Sequence, residues 1–184
     1  MAAWHLRIAT RILRRGGVIA YPTESVFGLG CVPWARSAVE RILVLKRRPQ
    51  EKGLIVVSSA VEHIEALVDF SGVDRDSIVD SWPGPVTWVL PTGSVVLPWI
   101  SGRWNSIAIR ISAHPVIQAL CSRVGPIVST SANPESKPPA RDPLRVRAYF
   151  GPAVDLIVPG RTGPLSLPTE IRDARTGAIL RKGG

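Results

Sequence analysis

The chain has 184 residues, of which 45% are hydrophobic, enough for one domain with a sizeable core and not for a disordered chain. Its net charge of +9, from 23 Lys+Arg against 14 Asp+Glu, favours an anionic partner. Apolar runs such as Leu54–Val57 are too short to span a bilayer, and Arg7, Arg11, Arg14 and Arg15 break up any signal-peptide core.

In chain order, Trp4 to Arg15 places Ile8, Ile12 and Leu13 among arginines and stops at Gly16-Gly17, which predicts a first helix. Val18–Tyr21 reads as a buried strand ended by Pro22, and Tyr21-Pro22-Thr23-Glu24-Ser25 leaves it with exposed hydroxyls. Ser37-Ala38-Val39-Glu40 has the form of a capping box, opening a helix that Pro49 closes. Leu54–Val57 predicts a strand and Val61–Val68 a short helix.

Trp82-Pro83-Gly84-Pro85 is a rigid turn feeding a strand over Val86–Leu90. Ile107–Ile111 is a strand in which Arg110 is the lone charge. His114-Pro115 opens a helix through Arg123, and Gly125-Pro126 leads into a strand over Ile127–Ser129. Asp142-Pro143 starts a helix to Phe150, and Asp155–Val158, Glu170–Arg172 and Ala178–Leu180 read as late strands. The pattern predicts one α/β domain over 1–184, with a twisted sheet of mixed parallel and antiparallel strands flanked by helices.

Cys31 and Cys121 form no CxxC pair, and no His/Cys cluster has zinc spacing, so a reduced, cytoplasmic protein without a structural metal is expected. No GxxxxGK[ST] loop, GxSxG elbow or HExxH motif is present, and Gly28-Leu29-Gly30 lacks the third glycine of a dinucleotide fingerprint. Covalent and hydrolytic metal chemistry are therefore poorly supplied, while charge stabilisation and positioning are well supplied. The positive charge is nearly all arginine, whose fork matches phosphates, although any single surface arginine is more simply a solvated cation.

Two segments carry the functional signal. Lys46-Arg47-Arg48-Pro49 puts three cations where a helix ends. Basic residues there also complement the helix dipole, but three beside a proline exceed that need. Lys46 and Arg48 do not share a helical face, so they converge only if the chain turns sharply between them. Ser129-Thr130-Ser131-Ala132-Asn133 follows a strand end, where open α/β sheets bind ligands, although an ordinary polar turn has the same composition. Arg110 in an apolar strand needs a partner, and a bound anion is the expected one. His114, Cys31 and Cys121 are expected to cap or pack.

Taken in order, Tyr21-Pro22-Thr23-Glu24-Ser25-Val26-Phe27-Gly28-Leu29-Gly30, Leu45–Pro49, Trp82-Pro83-Gly84-Pro85-Val86-Thr87, Ile109-Arg110 and Ser129–Asn133 resemble the YrdC-like family in its short bacterial form, with coverage through Glu170-Ile171-Arg172-Asp173. The resemblance implies a twisted α/β domain with an electropositive groove and no further C-terminal domain. It implies threonylcarbamoyl-AMP synthase activity, in which L-threonine, bicarbonate and ATP, with Mg²⁺, give threonylcarbamoyl-adenylate and pyrophosphate. Separate transferase proteins then modify the adenosine beside the anticodon of certain tRNAs. By the same resemblance Lys46 and Arg48 are the catalytic pair, and with Thr23 and Ser25 they face threonine and bicarbonate. Arg110, Ser129, Ser131 and Asn133 hold the nucleotide. The chain departs from many relatives at Ser25 (Thr in them) and Phe27 (Tyr in them); the hydroxyl at 25 survives, whereas Phe27 can only line a pocket.

Two other readings compete. A basic groove that binds double-stranded RNA or tRNA and assists ribosomal RNA maturation fits the charge. Carbamoyl transfer between small molecules is suggested by the YrdC-like domains inside larger maturation proteins, and the expected absence of a further domain argues against it.

Overall fold

The computed structural model describes residues 3–183. A single nine-stranded sheet runs through the domain in the order β7-β1-β2-β6-β3-β5-β4-β8-β9. Its strands are β1 (Ile19–Pro22), β2 (Phe27–Gly30), β3 (Ile55–Ser58), β4 (Val86–Pro91), β5 (Ser106–Ile111), β6 (Ile127–Ser131), β7 (Leu156–Ile157), β8 (Glu170–Asp173) and β9 (Ile179–Arg181). Parallel pairing joins β1 to β7, β3 to β5 and β4 to β8, and the other neighbours are antiparallel. The mixed sheet predicted from the alternation of elements is therefore present.

Among the described residues six α-helices flank it: α1 (Ala3–Arg14), α2 (Arg36–Lys46), α3 (Arg75–Asp80), α4 (Pro98–Ser101), α5 (Pro115–Val124) and α6 (Pro143–Phe150). Alternate residues along a strand point to opposite faces, and the two cores divide on that rule. Ile19, Tyr21, Val57 and Ile127 meet Leu6, Ala9 and Leu13 of α1 and Ile117 and Leu120 of α5. Ala20, Phe27, Leu29, Val56 and Val128 turn the other way, toward Val39, Ile42 and Leu43 of α2 and Val146 and Phe150 of α6. Among the described residues no helix is long and apolar enough to cross a membrane.

Three expectations change. The capping box is absent: α2 begins at Arg36, and Ala35 before it makes no side-chain cap. Glu40 is drawn instead to Arg36 one turn earlier, at 2.8 Å, so it cannot reach back to Ser37. Val61–Val68 is a run of turns, with Ile64 and Leu67 donating only three residues back. The Leu67 and Ala66 carbonyls accept from Gly93 and Val95, and Val68 bridges Thr92, which holds the segment against the end of β4. Finally, Thr23 and Ser25 are buried rather than exposed. The chain near Gly163 and Leu165 folds over them, donating to the Thr23 and Glu24 carbonyls.

The caps of the later helices follow the residue chemistry. The His114 ring accepts from the Val116 N–H at the start of α5, and Asp142 accepts from Arg145 at the start of α6. Cys31 and Cys121 are free and buried, with burial pushing each thiol up to about 12, so packing is their role.

Candidate functional site

Where α2 ends, the chain makes the sharp turn that convergence of Lys46 and Arg48 demands. Arg47 takes a left-handed conformation, φ 53° and ψ 40°, and its N–H returns to the Leu43 and Val44 carbonyls. The exposed Arg47 is the hinge of the pair, while Lys46 on one side is buried and Arg48 on the other is half-buried.

The Lys46 ammonium reaches across to the end of β6. It donates to the Ser131 carbonyl oxygen, to the Asn133 carbonyl at 2.9 Å and to Asn133 Oδ1 at 3.3 Å. The Asn133 amide nitrogen in turn donates to Lys137 O at 2.8 Å and Pro134 O at 3.1 Å. The two polar segments far apart in sequence are thus tied directly together. Arg48 is aimed by the loop that follows it, its guanidinium donating to the Gly53 carbonyl at 2.9 and 3.2 Å.

Beside this junction lies a cavity of about 630 Å³, lined by Thr23, Ser25, Phe27, Arg48, Arg110, Ser129 and Ser131 among others. Six of the predicted site residues therefore share one chamber. Lys46 and Asn133 are not among its lining residues; they stand behind Ser131 and hold it. The charged lining consists of four cations, Arg48, Lys52, Arg110 and Arg181, against one carboxylate, Asp173.

Arg110 is the most buried of these cations, at 4% exposure. The sequence called for an anion beside it, and the structure supplies one from the protein itself: Glu24 Oε2 lies 3.2 Å from Nη2. Glu24 also accepts from the Ser112 hydroxyl, while Arg110 Nη1 donates to Thr169 Oγ1 at 3.0 Å and Thr87 Oγ1 at 3.3 Å. Arg110 Nε has no protein partner. The His114 ring, on the far side of Ser112, has its pKa lowered, chiefly by burial.

Glycines make the approach of strands around the chamber possible. A Cβ on Gly30 would strike the Val128 carbonyl and the Tyr21 ring, and one on Gly28 would press on Thr23 Cγ2 at 3.2 Å. Burial raises the Tyr21 phenol, which donates to Val128 O at 3.2 Å. The Gly-x-Gly pair is therefore a packing device, and β2, which carries it, went unpredicted because its glycines carry no strand signal. Arg181 was also missed. It comes from β9, folds its guanidinium onto the Thr169 carbonyl at 2.7 and 3.1 Å, and faces the same chamber. Only β8–β9 pairing, which places β9 beside the site, brings it there.

Burial and the neighbouring Arg48 charge pull the Lys46 ammonium down from 10.5 to about 8. Below about 8 the side chain is charged in folded and unfolded chains alike, and the folded state bears the cost. Between 8 and 10.5 the folded chain sheds that proton first, so stability from this group rises with pH while its positive charge disappears. The expected outcome is opposite limbs: kcat/KM falls as pH rises through about 8. The Lys46 contribution to the denaturant midpoint, read against Lys46→Met, increases over the same range. Lys46→Arg should move the activity limb upward, since its guanidinium stays charged.

The sequence profile Sua5_yciO_yrdC, described as "Telomere recombination", matches residues 11–183. The chain belongs to this family. It is similar to a threonylcarbamoyl-AMP synthase of Hahella chejuensis, 52% identical over 184 residues, covering 99% of this chain and 100% of that protein. Among solved structures, P. abyssi Sua5 complexed with L-threonine superposes with a TM-score of 0.92 at 31% identity, covering 100% of this chain. The chain spans only 55% of that longer protein. E. coli YciO superposes with a TM-score of 0.82 at 28% identity, covering 97% of this chain and 88% of its own.

Proposed function

We propose that the chain is a threonylcarbamoyl-AMP synthase, forming threonylcarbamoyl-adenylate and pyrophosphate from L-threonine, bicarbonate or carbon dioxide, and ATP. The observation that carries this reading is the single chamber in which Arg48, Lys52, Arg110 and Arg181 meet the hydroxyls of Thr23, Ser25, Ser129 and Ser131. The chemistry asks for such a chamber. The threonine amine and bicarbonate form a carbamate with loss of water. A carbamate oxygen then attacks the α-phosphorus of ATP, forming the O–P bond as the bond to pyrophosphate breaks. A carboxylate, a carbamate and a triphosphate must approach one another, so mutual repulsion is the chief obstacle and fixed cations remove it. No protein nucleophile is required.

The residues divide accordingly. Thr23 and Ser25 lie on the threonine side, and Arg110 lies toward the nucleotide. The P. abyssi Sua5 structure with L-threonine supports a threonine site in a chain of this fold. Arg48 meets the phosphates and the carbamate, with Ser129 and Ser131 along the nucleotide. Lys46 adds its charge from just behind Ser131 and, with Asn133, holds that segment in place. Mg²⁺ would enter as a companion of ATP: among the described residues no cluster of three acidic, histidine or cysteine side chains could hold a metal, and Asp173, the carboxylate of the chamber lining, accepts from the Arg175 and Thr176 N–H groups through Oδ1. When bound, the ion neutralises charge on the departing pyrophosphate. On this reading the product passes to transferase proteins that modify tRNA in the cytoplasm.

The test is pyrophosphate release by the purified protein in ATP, Mg²⁺, bicarbonate and threonine. Release that stops when threonine is omitted is expected; release that continues without threonine would exclude the reading.

A further inference from the structure

The cations of the chamber account for phosphates and carboxylates, and they leave the base of the nucleotide without an assigned contact. Two aromatic side chains are among the described residues lining the chamber, Phe27 and Trp104. Phe27 is fully buried at 0% exposure and offers no face, whereas Trp104 is 50% exposed. Trp4 and Trp34 are as exposed, but of the three only Trp104 stands in the chamber wall.

Its setting is specific. Trp104 lies between α4 and β5, its N–H donating to the Ser101 carbonyl at 3.3 Å. The preceding N–H, of Arg103, donates to the Glu51 carbonyl at 3.4 Å, which ties this turn to the segment carrying Arg48 and Lys52. The Arg103 guanidinium stacks on the Trp104 ring, 4.4 Å from its centroid. Trp104 lines the chamber and Arg103 does not. The indole thus stacks on a cation that is outside the lining while itself lining the chamber, as Arg48 and Lys52 do.

We infer that Trp104 is the platform on which the nucleotide base stacks, with Arg103 behind it. This rests on the reading of ATP as substrate and adds the part of ATP that the cations cannot recognise. The guanidinium fixes the ring plane before the base arrives, so little side-chain freedom is lost on binding. Every base has a π face, so the platform supplies affinity without choosing among bases.

The experiment compares ATP with inorganic tripolyphosphate, each with Mg²⁺, by titration calorimetry on the wild type, Trp104→Ala and Trp104→Phe. The alanine variant should bind ATP roughly 5- to 150-fold more weakly, the equivalent of about 1–3 kcal/mol. Tripolyphosphate, which has no base, should bind it as it binds the wild type, and phenylalanine should restore part of the ATP affinity. Unchanged ATP affinity in Trp104→Ala, or equal weakening toward both ligands, overturns the inference while leaving the synthase reading in place. A wild type that binds tripolyphosphate but not ATP overturns both.

Discussion

Arg48→Ala is expected to reduce threonine-dependent pyrophosphate release by at least about 10²-fold, the scale of removing one preorganised charge-stabilising donor. The folded state should survive, because Arg48 is half-buried and its bonds to Gly53 O are worth about 1 kcal/mol each. Lys46→Ala should abolish activity for a compound reason. It removes a positive charge and also leaves the Asn133 carbonyl without its donor and the Ser131 carbonyl with only the Asn133 N–H, at a stability cost of about 1–3 kcal/mol. The pair is therefore separable by denaturant titration alongside the activity assay: Arg48→Ala inactive and nearly as stable as wild type, Lys46→Ala inactive and measurably weaker. Arg47→Gly is the internal control. It keeps the left-handed turn and removes only an exposed cation, so activity should persist. An active Arg48→Ala would show that its place in the chamber wall is incidental.

Glu24→Ala should be among the most destabilising single changes in the chain. The Glu24 and Arg110 side chains are 10% and 5% exposed, and removal of one partner leaves an uncompensated buried charge, at a cost of about 3–5 kcal/mol. That is a large part of the roughly 5–15 kcal/mol by which domains are stable. The loss also strips Ser112 of its acceptor, and Ser112 in turn accepts from the His114 N–H where α5 begins. A fall in the urea midpoint is the expected reading. Glu24→Ala combined with Arg110→Met should recover part of it, because no charge is then stranded. If the midpoint of Glu24→Ala equals that of the wild type, the pair does not hold the chamber wall. Glu24, Thr87 and Thr169 together hold the buried Arg110 guanidinium in place, and its buried Nε has no protein partner.

The sequence made the elements legible where hydrophobic period and helix caps agree. α5 and α6 begin where His114-Pro115 and Asp142-Pro143 stand, and β3, β5 and β6 follow their apolar runs to within a residue or two. It misled where a local motif had a stronger rival, as when Glu40 paired with Arg36 rather than returning to Ser37. β2 was invisible because its two glycines serve packing against Tyr21, Thr23 and Val128, a demand made by neighbouring strands rather than by the segment itself.

The candidate site divides in the same way. Lys46, Arg48 and Ser129 to Asn133 stood out as local clusters of charge and hydroxyls, and their contact across 85 positions in sequence needed only the turn at Arg47. Arg181 and Trp104 looked like ordinary surface residues, because only the register of β8 with β9 and the turn after α4 bring them to the chamber. Glu24 lay inside a recognised segment, yet its pairing with Arg110 depends on where β5 enters the sheet between β3 and β4. Legibility in this chain ends where a residue's role is set by strand order.

On the proposed reading the chamber joins bicarbonate carbon to threonine and then to AMP. Mass spectrometry of the product formed from ATP, threonine and carbon-13 bicarbonate tests it most directly. The expected product is a threonylcarbamoyl-adenylate that carries one labelled carbon and disappears with Arg48→Ala. An unlabelled threonyl-adenylate, or no adenylate at all from an ATP-binding protein, would contradict it.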